Sequence, residues 1–295
     1  MPDITGHTEL VGLMAYPIRH TQSPVTHNLA YDINGDDVIQ LAFEVDQSSL
    51  KDAVQSIRAL KMLGSNISMP NKTAVLQYLD EVDEAAELCG AVNTVVNLRD
   101  EKGEVSGRLK GYNTDGMGYW HSLSEENICF KGMKMVLIGT GGAASAIAVT
   151  GALEGVSEIH IFNRKDSFWN RGVELVQTIR EHTLCTATLD SLDDHALLKE
   201  RMMDADLFCD ATGAGMHPLE NVSNIPDVSF FRKDLIVTDT VYVPKETVMM
   251  KQAKEAGCTR VMNGMGMMLF QALTAIELYT GKKTPADYMK KKLGL

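Results

Sequence analysis

Hydrophobic and polar positions along this 295-residue chain switch repeatedly between the strand period and the helix period. Glu9 to Ala15 is a short, mostly apolar run and reads as a buried strand. Ser23-Pro24 follows as an N-cap with proline at the first helical position, opening a helix toward Asp32. Val38 to Val45 returns to strand. Ser48 or Ser49 then caps a helix running to Met62, with apolar residues at Leu50, Ala53, Val54, Ile57 and Leu60. Gly64 ends that helix, Asn66 to Met69 is a short strand, a helical pair runs through Leu88, and Ala91 to Leu98 is strand again. Such alternation predicts a parallel sheet covered by helices.

After an entry loop at Asn127 to Lys134 the pattern restarts. Met135 to Ile138, Ile159 to Phe162, Ala187 to Leu189, Leu207 to Ala211 and Leu235 to Val241 read as strands. Ala143 to Leu153 and Arg171 to Arg180 read as helices. The last thirty or so residues are helical, with Pro285 near a helix start, and can pack on either half. Neither a repeat nor a low-complexity tract interrupts this order.

Composition narrows the class. At 44% hydrophobic and 23% charged, a chain of this length predicts two globular domains. No apolar run is long enough to suggest a transmembrane helix. Met1 to His7 lacks the basic flank and apolar stretch of a secretory signal, so a cytoplasmic location is expected. The five cysteines are scattered and never form a Cys-x-x-Cys pair, which argues against a zinc site or a disulfide framework; no metal is expected. A net charge of −11 disfavours a nucleic-acid surface, yet leaves room for an anionic small substrate met by a local Lys or Arg.

The strongest local signal is Met135-Val-Leu-Ile-Gly139-Thr140-Gly141-Gly142-Ala143, an apolar strand entering a glycine turn and then a small-residue helix. Glycines permit the tight turn and the approach of backbone amides to a pyrophosphate, which rests on the positive helix end. A purely structural strand–turn–helix explains the glycines alone. A second strand ending at Phe162 favours dinucleotide binding, because the next residues, Asn163-Arg164-Lys165-Asp166, stand where a ribose is read. Asp166 suits a free 2′-hydroxyl, whereas Arg164 and Lys165 suit a 2′-phosphate. NAD is the preferred expectation, with NADP also accepted.

Four polar segments in the first half sit where strands end: His20 to Pro24, Asn66 to Lys72, Ala91 to Thr94, and Tyr112 to Gly116. Each has an ordinary explanation. Ser23 can be a cap, Lys72 a solvated residue of a first helical turn, and Asn93 and Asp115 turn residues. Occurring together beside a dinucleotide fold, they point to one ligand cleft.

The motifs Pro17-Ile-Arg-His20-Thr-Gln-Ser23-Pro24, Asn66-Ile-Ser-Met-Pro70-Asn-Lys72, Ala91-Val-Asn-Thr94, Gly111-Tyr-Asn-Thr-Asp115-Gly116, Gly139-Thr-Gly-Gly-Ala143 and Asn263-Gly-Met-Gly-Met-Met-Leu-Phe-Gln271 occur in order. Over nearly its whole length the chain thereby resembles the shikimate/quinate dehydrogenase family, in particular its NAD-tolerant branch. The resemblance implies two α/β domains. A substrate domain spans 1–116 plus 264–295, with the carboxy-terminal helices returning to it, and a Rossmann-type dinucleotide domain spans 117–263. It implies Lys72 and Asp115 as the catalytic pair, and Thr21, Ser23, Ser68, Lys72, Asn93, Asp115, Tyr242 and Gln271 around the substrate. The cofactor side would comprise Gly139 to Ala143, Asn163 to Asp166, Thr240, Val241 and Gly264. The implied reaction is the reversible NAD(P)-dependent reduction of 3-dehydroshikimate to shikimate, with quinate as a second substrate, in chorismate and aromatic amino acid biosynthesis or quinate metabolism. A monomer or homodimer is expected. Against the family's usual pattern, Thr21 replaces a frequent Ser, Asp210 and Asn263 replace a frequent Asn and Asp, and Gln40 stands where the NAD-tolerant branch can place Tyr.

Other classes remain open at this level. A dehydrogenase acting on folate carbons would share the glycine turn but has no use for the hydroxyl-binding set. A metabolite sensor without turnover would keep the fold but has no need of both Lys72 and Asp115. A structural dinucleotide module leaves the first half unexplained.

Overall fold

A computed structural model describes residues 4–294. The chain forms two compact units, one comprising residues up to Gly118 together with those from Leu269 onward, the other Tyr119–Met268. The first unit is built from β1 (Glu9–Ala15), α1 (Ser23–Asn34), β2 (Val38–Glu44), α2 (Leu50–Ala59), β3 (Gly64–Ile67), a 3₁₀ turn (Ala74–Tyr78), β4 (Glu81–Val82), α3 (Glu84–Cys89), β5 (Thr94–Arg99), β6 (Val105–Tyr112) and the start of α4 (Thr114–Glu125). Its sheet runs in the order β2-β1-β3-β5-β6-β4. β1 pairs in parallel with β2 and β3, but β5 is antiparallel to both β3 and β6. The sheet is therefore mixed, not parallel as the alternation predicts. The cause is the hairpin from β5 to β6, whose alternating pattern the apolar count overlooks.

The antiparallel strand has a structural consequence. Asn66 of β3 lies opposite Thr94, the first residue of β5, and Thr94 lies opposite Tyr112, the last of β6. The carboxyl ends of β3 and β6 and the amino end of β5 thus share one edge, and β1 ends there too, parallel to β3. Four loops that are far apart in sequence emerge side by side.

Several local readings are corrected. Ser23 is the first residue of α1, and its hydroxyl does not cap the helix; Gln22 holds the cap position. Ser49 precedes α2 without a side-chain cap, since the hydroxyls of Ser48 and Ser49 both turn to Asp46 Oδ1, at 2.7 and 2.9 Å. Gly64 does not end α2, which stops at Ala59. It opens β3, where a Cβ would collide with the Val95 carbonyl oxygen and stand 2.6 Å from the Tyr279 ring. Apolar cores lie on both faces of the sheet: Met14, Val54, Ile57, Ile67, Val92 and Leu109 form one cluster, and Val11, Tyr31, Leu269, Ile276, Tyr279 and Met289 another. The second cluster is supplied partly by α9 (Met265–Thr280) and α10 (Ala286–Leu293), which settles where the carboxy-terminal helices pack.

In the other unit, β7 (Lys134–Ile138), α5 (Gly142–Leu153), β8 (Glu158–Asn163), α6 (Trp169–His182), β9 (Thr186–Ser191), α7 (His195–Asp204), β10 (Leu207–Asp210), β11 (Ile236–Asp239), α8 (Val248–Glu255) and β12 (Val261–Met262) follow in turn. All six strands are parallel, in the order β12-β11-β10-β7-β8-β9. This is the doubly wound 3-2-1-4-5-6 arrangement, whose strand order reverses between β7 and β10. Small residues let α5 lie close to its neighbours: a Cβ on Gly151 would collide with the Trp120 ring, whose Nε1 donates to Ile147 O at 2.9 Å.

Two buried carboxylates end adjacent strands, Asp210 on β10 and Asp239 on β11, and are register partners. Burial, then the charge of Asp210, pushes the Asp239 carboxyl up to about 7; burial also raises Asp210. Between pH 4 and pH 7, roughly, the unfolded chain has released the Asp239 proton while the native state retains it. This group therefore lowers native stability as pH rises through that window. Asp239→Asn should flatten the dependence, gaining about 1–3 kcal/mol on wild type between pH 5 and pH 8. Urea unfolding at the two values checks this, and parallel profiles would contradict it. Gly64→Ala should lose about 2–4 kcal/mol from the collision with Val95 and Tyr279, read as a fall in thermal midpoint.

Candidate active site

Lys72 lies in the loop after β3, held from both sides. Val92 N donates to the Lys72 carbonyl at 2.8 Å, and the buried amide of Asn71 donates to Val45 O at 2.7 Å. So anchored, the Lys72 ammonium donates to Asp115 Oδ2 at 2.6 Å, with the side chains 31% and 20% exposed. Asp115 sits in the first turn of α4, where a carboxylate is favoured by the helix dipole. Its backbone N–H donates to Asn113 Oδ1 at 3.1 Å, and Asn113 Nδ2 in turn donates to Ala91 O at 3.1 Å. The second carboxylate oxygen, Oδ1, accepts from Asn93 Nδ2 at 2.9 Å. Asn93 is oriented by Thr114, whose backbone N–H donates to Asn93 Oδ1 at 2.8 Å. Lys72, Asn93 and Asp115 thus form one part-buried constellation, in which Lys72 is ion-paired rather than freely solvated.

Of the other residues expected around the substrate, Thr21, Ser23 and Ser68 belong to the segments that follow β1 and β3 at this edge. Thr21 Oγ1 accepts from Ser23 N at 3.2 Å, so the two hydroxyl residues share one tight turn after β1. Ser68 belongs to the loop that carries Lys72, tied by its N–H to Met14 O at 3.0 Å. Gln271 lies against α4, because a Cβ on Gly118 would collide with the Gln271 backbone. That close helix approach places Gln271 one turn from Asp115 along α4. Tyr242 belongs to the other unit, 43% exposed in the segment after β11.

The glycine turn has the form a pyrophosphate requires. Gly139 adopts φ +110, a conformation strained for any other residue, and a Cβ there would stand 3.1 Å from Ala211 O. Gly141 is the N-cap of α5, and around Gly141 and Gly142 the space a Cβ would take is open. The amides of the first turn of this twelve-residue helix have no intrahelical acceptor, so they and the helix dipole fit an anion. Thr140 offers only its backbone: its side chain is buried and its hydroxyl donates to Phe168 O at 3.2 Å. Ala143 follows in the helix.

Beyond β8, Asn163 Nδ2 donates to Arg164 O at 2.9 Å, Arg164 and Lys165 are exposed, and Asp166 Oδ1 accepts from Phe168 N at 2.8 Å. Arg164 Nη2 donates to Asn224 Oδ1 at 3.3 Å, and Asn224 Nδ2 donates to Asp210 Oδ2 at 2.9 Å. Asp239 shapes the facing segment, accepting from Val241 N at 2.8 Å and from Thr247 Oγ1 at 2.7 Å. Gly264 N donates to Val241 O at 2.9 Å, and a Cβ on Gly264 would collide with Thr240 O. Thr240, Val241 and Gly264 are thereby brought into one place.

Sequence reasoning gave no role to Asn66, Thr94, Thr114 or Asn224, which hold the named groups. No pattern singles out Asn66, which shares the short buried strand β3 with a second polar residue, Ser65. Nothing local marks Asn224.

Residues 13–95 match the family model described as the shikimate dehydrogenase substrate binding domain. A shikimate dehydrogenase (NADP(+)) of Listeria monocytogenes serotype 4b (strain F2365) is 47% identical over 290 residues, covering 98% of this chain and 97% of the relative. The same name is carried by a relative from Streptococcus uberis (strain ATCC BAA-854 / 0140J), 47% identical over 97% of this chain and 96% of its own length. Among solved structures, a shikimate 5-dehydrogenase from Listeria monocytogenes in complex with shikimate and NAD superposes with a TM-score of 0.94. It is 46% identical, with 99% of both chains covered. With identity of this order along nearly the whole chain, and a matching substrate-domain model, the protein belongs to the shikimate dehydrogenase family.

Proposed function

We propose that this protein is a shikimate dehydrogenase, reversibly reducing 3-dehydroshikimate to shikimate with a nicotinamide dinucleotide, and that quinate is the alternative alcohol. The observation that carries this reading is the Lys72–Asp115 pair, 2.6 Å apart and flanked by Asn93 in a unit rich in hydroxyl and amide groups. The bound dinucleotide supplies or accepts the hydride. The chain's task is the proton. Lys72 Nζ donates to the carbonyl oxygen as it gains charge, and takes the proton back in the reverse direction. A positioned acid of this kind contributes typically ~10²–10⁴-fold. Asp115 aims the ammonium through a charge-assisted bond and keeps its proton directed. Thr21, Ser23, Ser68, Asn93, Tyr242 and Gln271 hold the substrate carboxylate and ring hydroxyls. Gly139 to Ala143 cradle the pyrophosphate, Asn163 to Asp166 read the adenosine ribose, and Thr240, Val241 and Gly264 line the nicotinamide side.

For the cofactor we favour NAD, with NADP also used. The solved Listeria structure was obtained with NAD, whereas the relatives are named for NADP(+). In this chain Asp166 would repel a 2′-phosphate, while Arg164 is drawn toward Asn224. Absorbance assays crossing shikimate and quinate with NAD and NADP test the whole reading; no turnover in any combination would end it. Lys72→Ala should lower kcat by about 10²–10⁴ with an unaltered circular-dichroism spectrum, and near-normal kcat would remove Lys72 from the role. Asp166→Ala should shift the kcat/KM ratio toward NADP by about tenfold, the equivalent of ~1.4 kcal/mol. An unchanged ratio would show that another group reads the ribose.

A further inference from the structure

Gln40 is fully buried on β2, an edge strand, yet every polar atom it carries is engaged. Its backbone is clamped by the side-chain amide of Asn28 on α1. Gln40 N donates to Asn28 Oδ1 at 2.7 Å, and Asn28 Nδ2 donates to Gln40 O at 3.1 Å. Asn28 thus serves β2 as a missing neighbour strand would. The clamp aims the Gln40 side chain between two partners. Ser23 Oγ donates to Gln40 Oε1 at 3.1 Å, and Gln40 Nε2 donates to Asn66 Oδ1 at 2.8 Å.

The bonds continue in one direction. Asn66 Nδ2 donates to Thr94 Oγ1 at 3.3 Å, Thr94 Oγ1 to Asn93 Oδ1 at 3.0 Å, and Asn93 Nδ2 to Asp115 Oδ1 at 2.9 Å. From Ser23 to Asp115 each donor points toward the carboxylate that also receives Lys72. The far end is pinned by a fixed backbone donor, Thr114 N, on Asn93 Oδ1. Head-to-tail bonds in a buried setting polarise one another, and a gap leaves a desolvated polar atom unpaired.

We propose that Gln40 is the positioning residue for Ser23. Its amide holds the Ser23 hydroxyl in place for the substrate, and is itself oriented through Asn66, Thr94 and Asn93 by the Asp115 carboxylate. This inference rests on the shikimate reading above. Glutamine suits the position because one side chain must accept from Ser23 and donate to Asn66. Glutamate supplies only acceptors, and an aliphatic residue neither.

The test is a double-mutant cycle of Gln40→Met with Ser23→Ala, reading shikimate affinity by calorimetry and both KM values by steady-state assay. Gln40→Met should weaken shikimate binding by about three- to tenfold, the worth of one neutral hydrogen bond. The dinucleotide KM should stay unchanged and kcat should hold within about twofold. Added to Ser23→Ala, it should cause no further loss, because Gln40 acts through that hydroxyl. Asn28→Ala, which releases the backbone clamp that aims Gln40, should show the same pattern at about two- to threefold, and decides the matter if Gln40→Met does not fold. Unaltered affinity, an equal loss with and without Ser23→Ala, or a loss shared with the dinucleotide would each overturn the proposal. Wild-type enzyme that neither binds nor turns over shikimate would overturn the functional reading along with it. Normal wild-type turnover with an additive cycle would overturn the role of Gln40 alone.

Discussion

Forty-three residues separate Lys72 from Asp115, and their bond exists because a strand reverses. β5 runs against β3 and β6, so the end of β3, the start of β5 and the end of β6 fall on one edge. Lys72 follows the first of these, Asn93 precedes the second and Asp115 follows the third. Sheet register thus does the long-range work, and short-range bonds from Val92, Asn71 and Asn113 complete the aim. A parallel β5 would carry Asn93 to the opposite edge, and the carboxylate would lose the amide that fixes its second oxygen.

The second unit reaches its order by another route. All its strands are parallel, so every carboxyl end lies on one side, and the strand order reverses beside β7, the strand that enters the glycine turn. Close approach of glycines, together with the bonds of Asp210 and Asp239, shapes this region. Gly264 presses on Thr240 and Gly151 admits Trp120, each at a distance that excludes a side chain, while Gly139 lies near Ala211 with a positive φ. Glycine here gives up chain entropy on folding in return for proximity.

Much of this was legible in the residues. Strand and helix periods located both α/β units, and the glycine turn declared itself because its chemistry is local: strand, turn, small-residue helix. The polar motifs were legible as candidate sites only jointly, since Lys72 or Asn93 alone has an ordinary explanation. What escaped has physical reasons. β5 reads as a strand, but β6 alternates exposed and more buried residues and lacks the apolar continuity that marked the other strands, so the pattern does not show the hairpin. Ser23 has the sequence of an N-cap, but a buried glutamine seventeen residues on competes for its hydroxyl, and Ser48 and Ser49 lose theirs to Asp46. The unit boundaries fall inside the continuous helices α4 and α9, where neither proline nor a polar linker marks a change.

The two units solve one problem, placing polar groups away from water, with opposite chemistry. Around Lys72 the supporting groups are neutral amides and hydroxyls, so the single carboxylate of Asp115 meets the ammonium without a competing anion in its own network. At the ends of β10 and β11 the supports are carboxyls, Asp210 and Asp239, each already committed to backbone and hydroxyl donors. A full negative charge on Asp210 would stand beside the turn after its register partner Ile138, at the proposed pyrophosphate cradle. Burial opposes that charging and pushes Asp239 up to about 7. Near neutral pH the pair therefore presents less charge than its composition suggests, and the carboxyls can shape the two segments they hold at a reduced electrostatic cost to the helix end that follows β7, the strand beside β10.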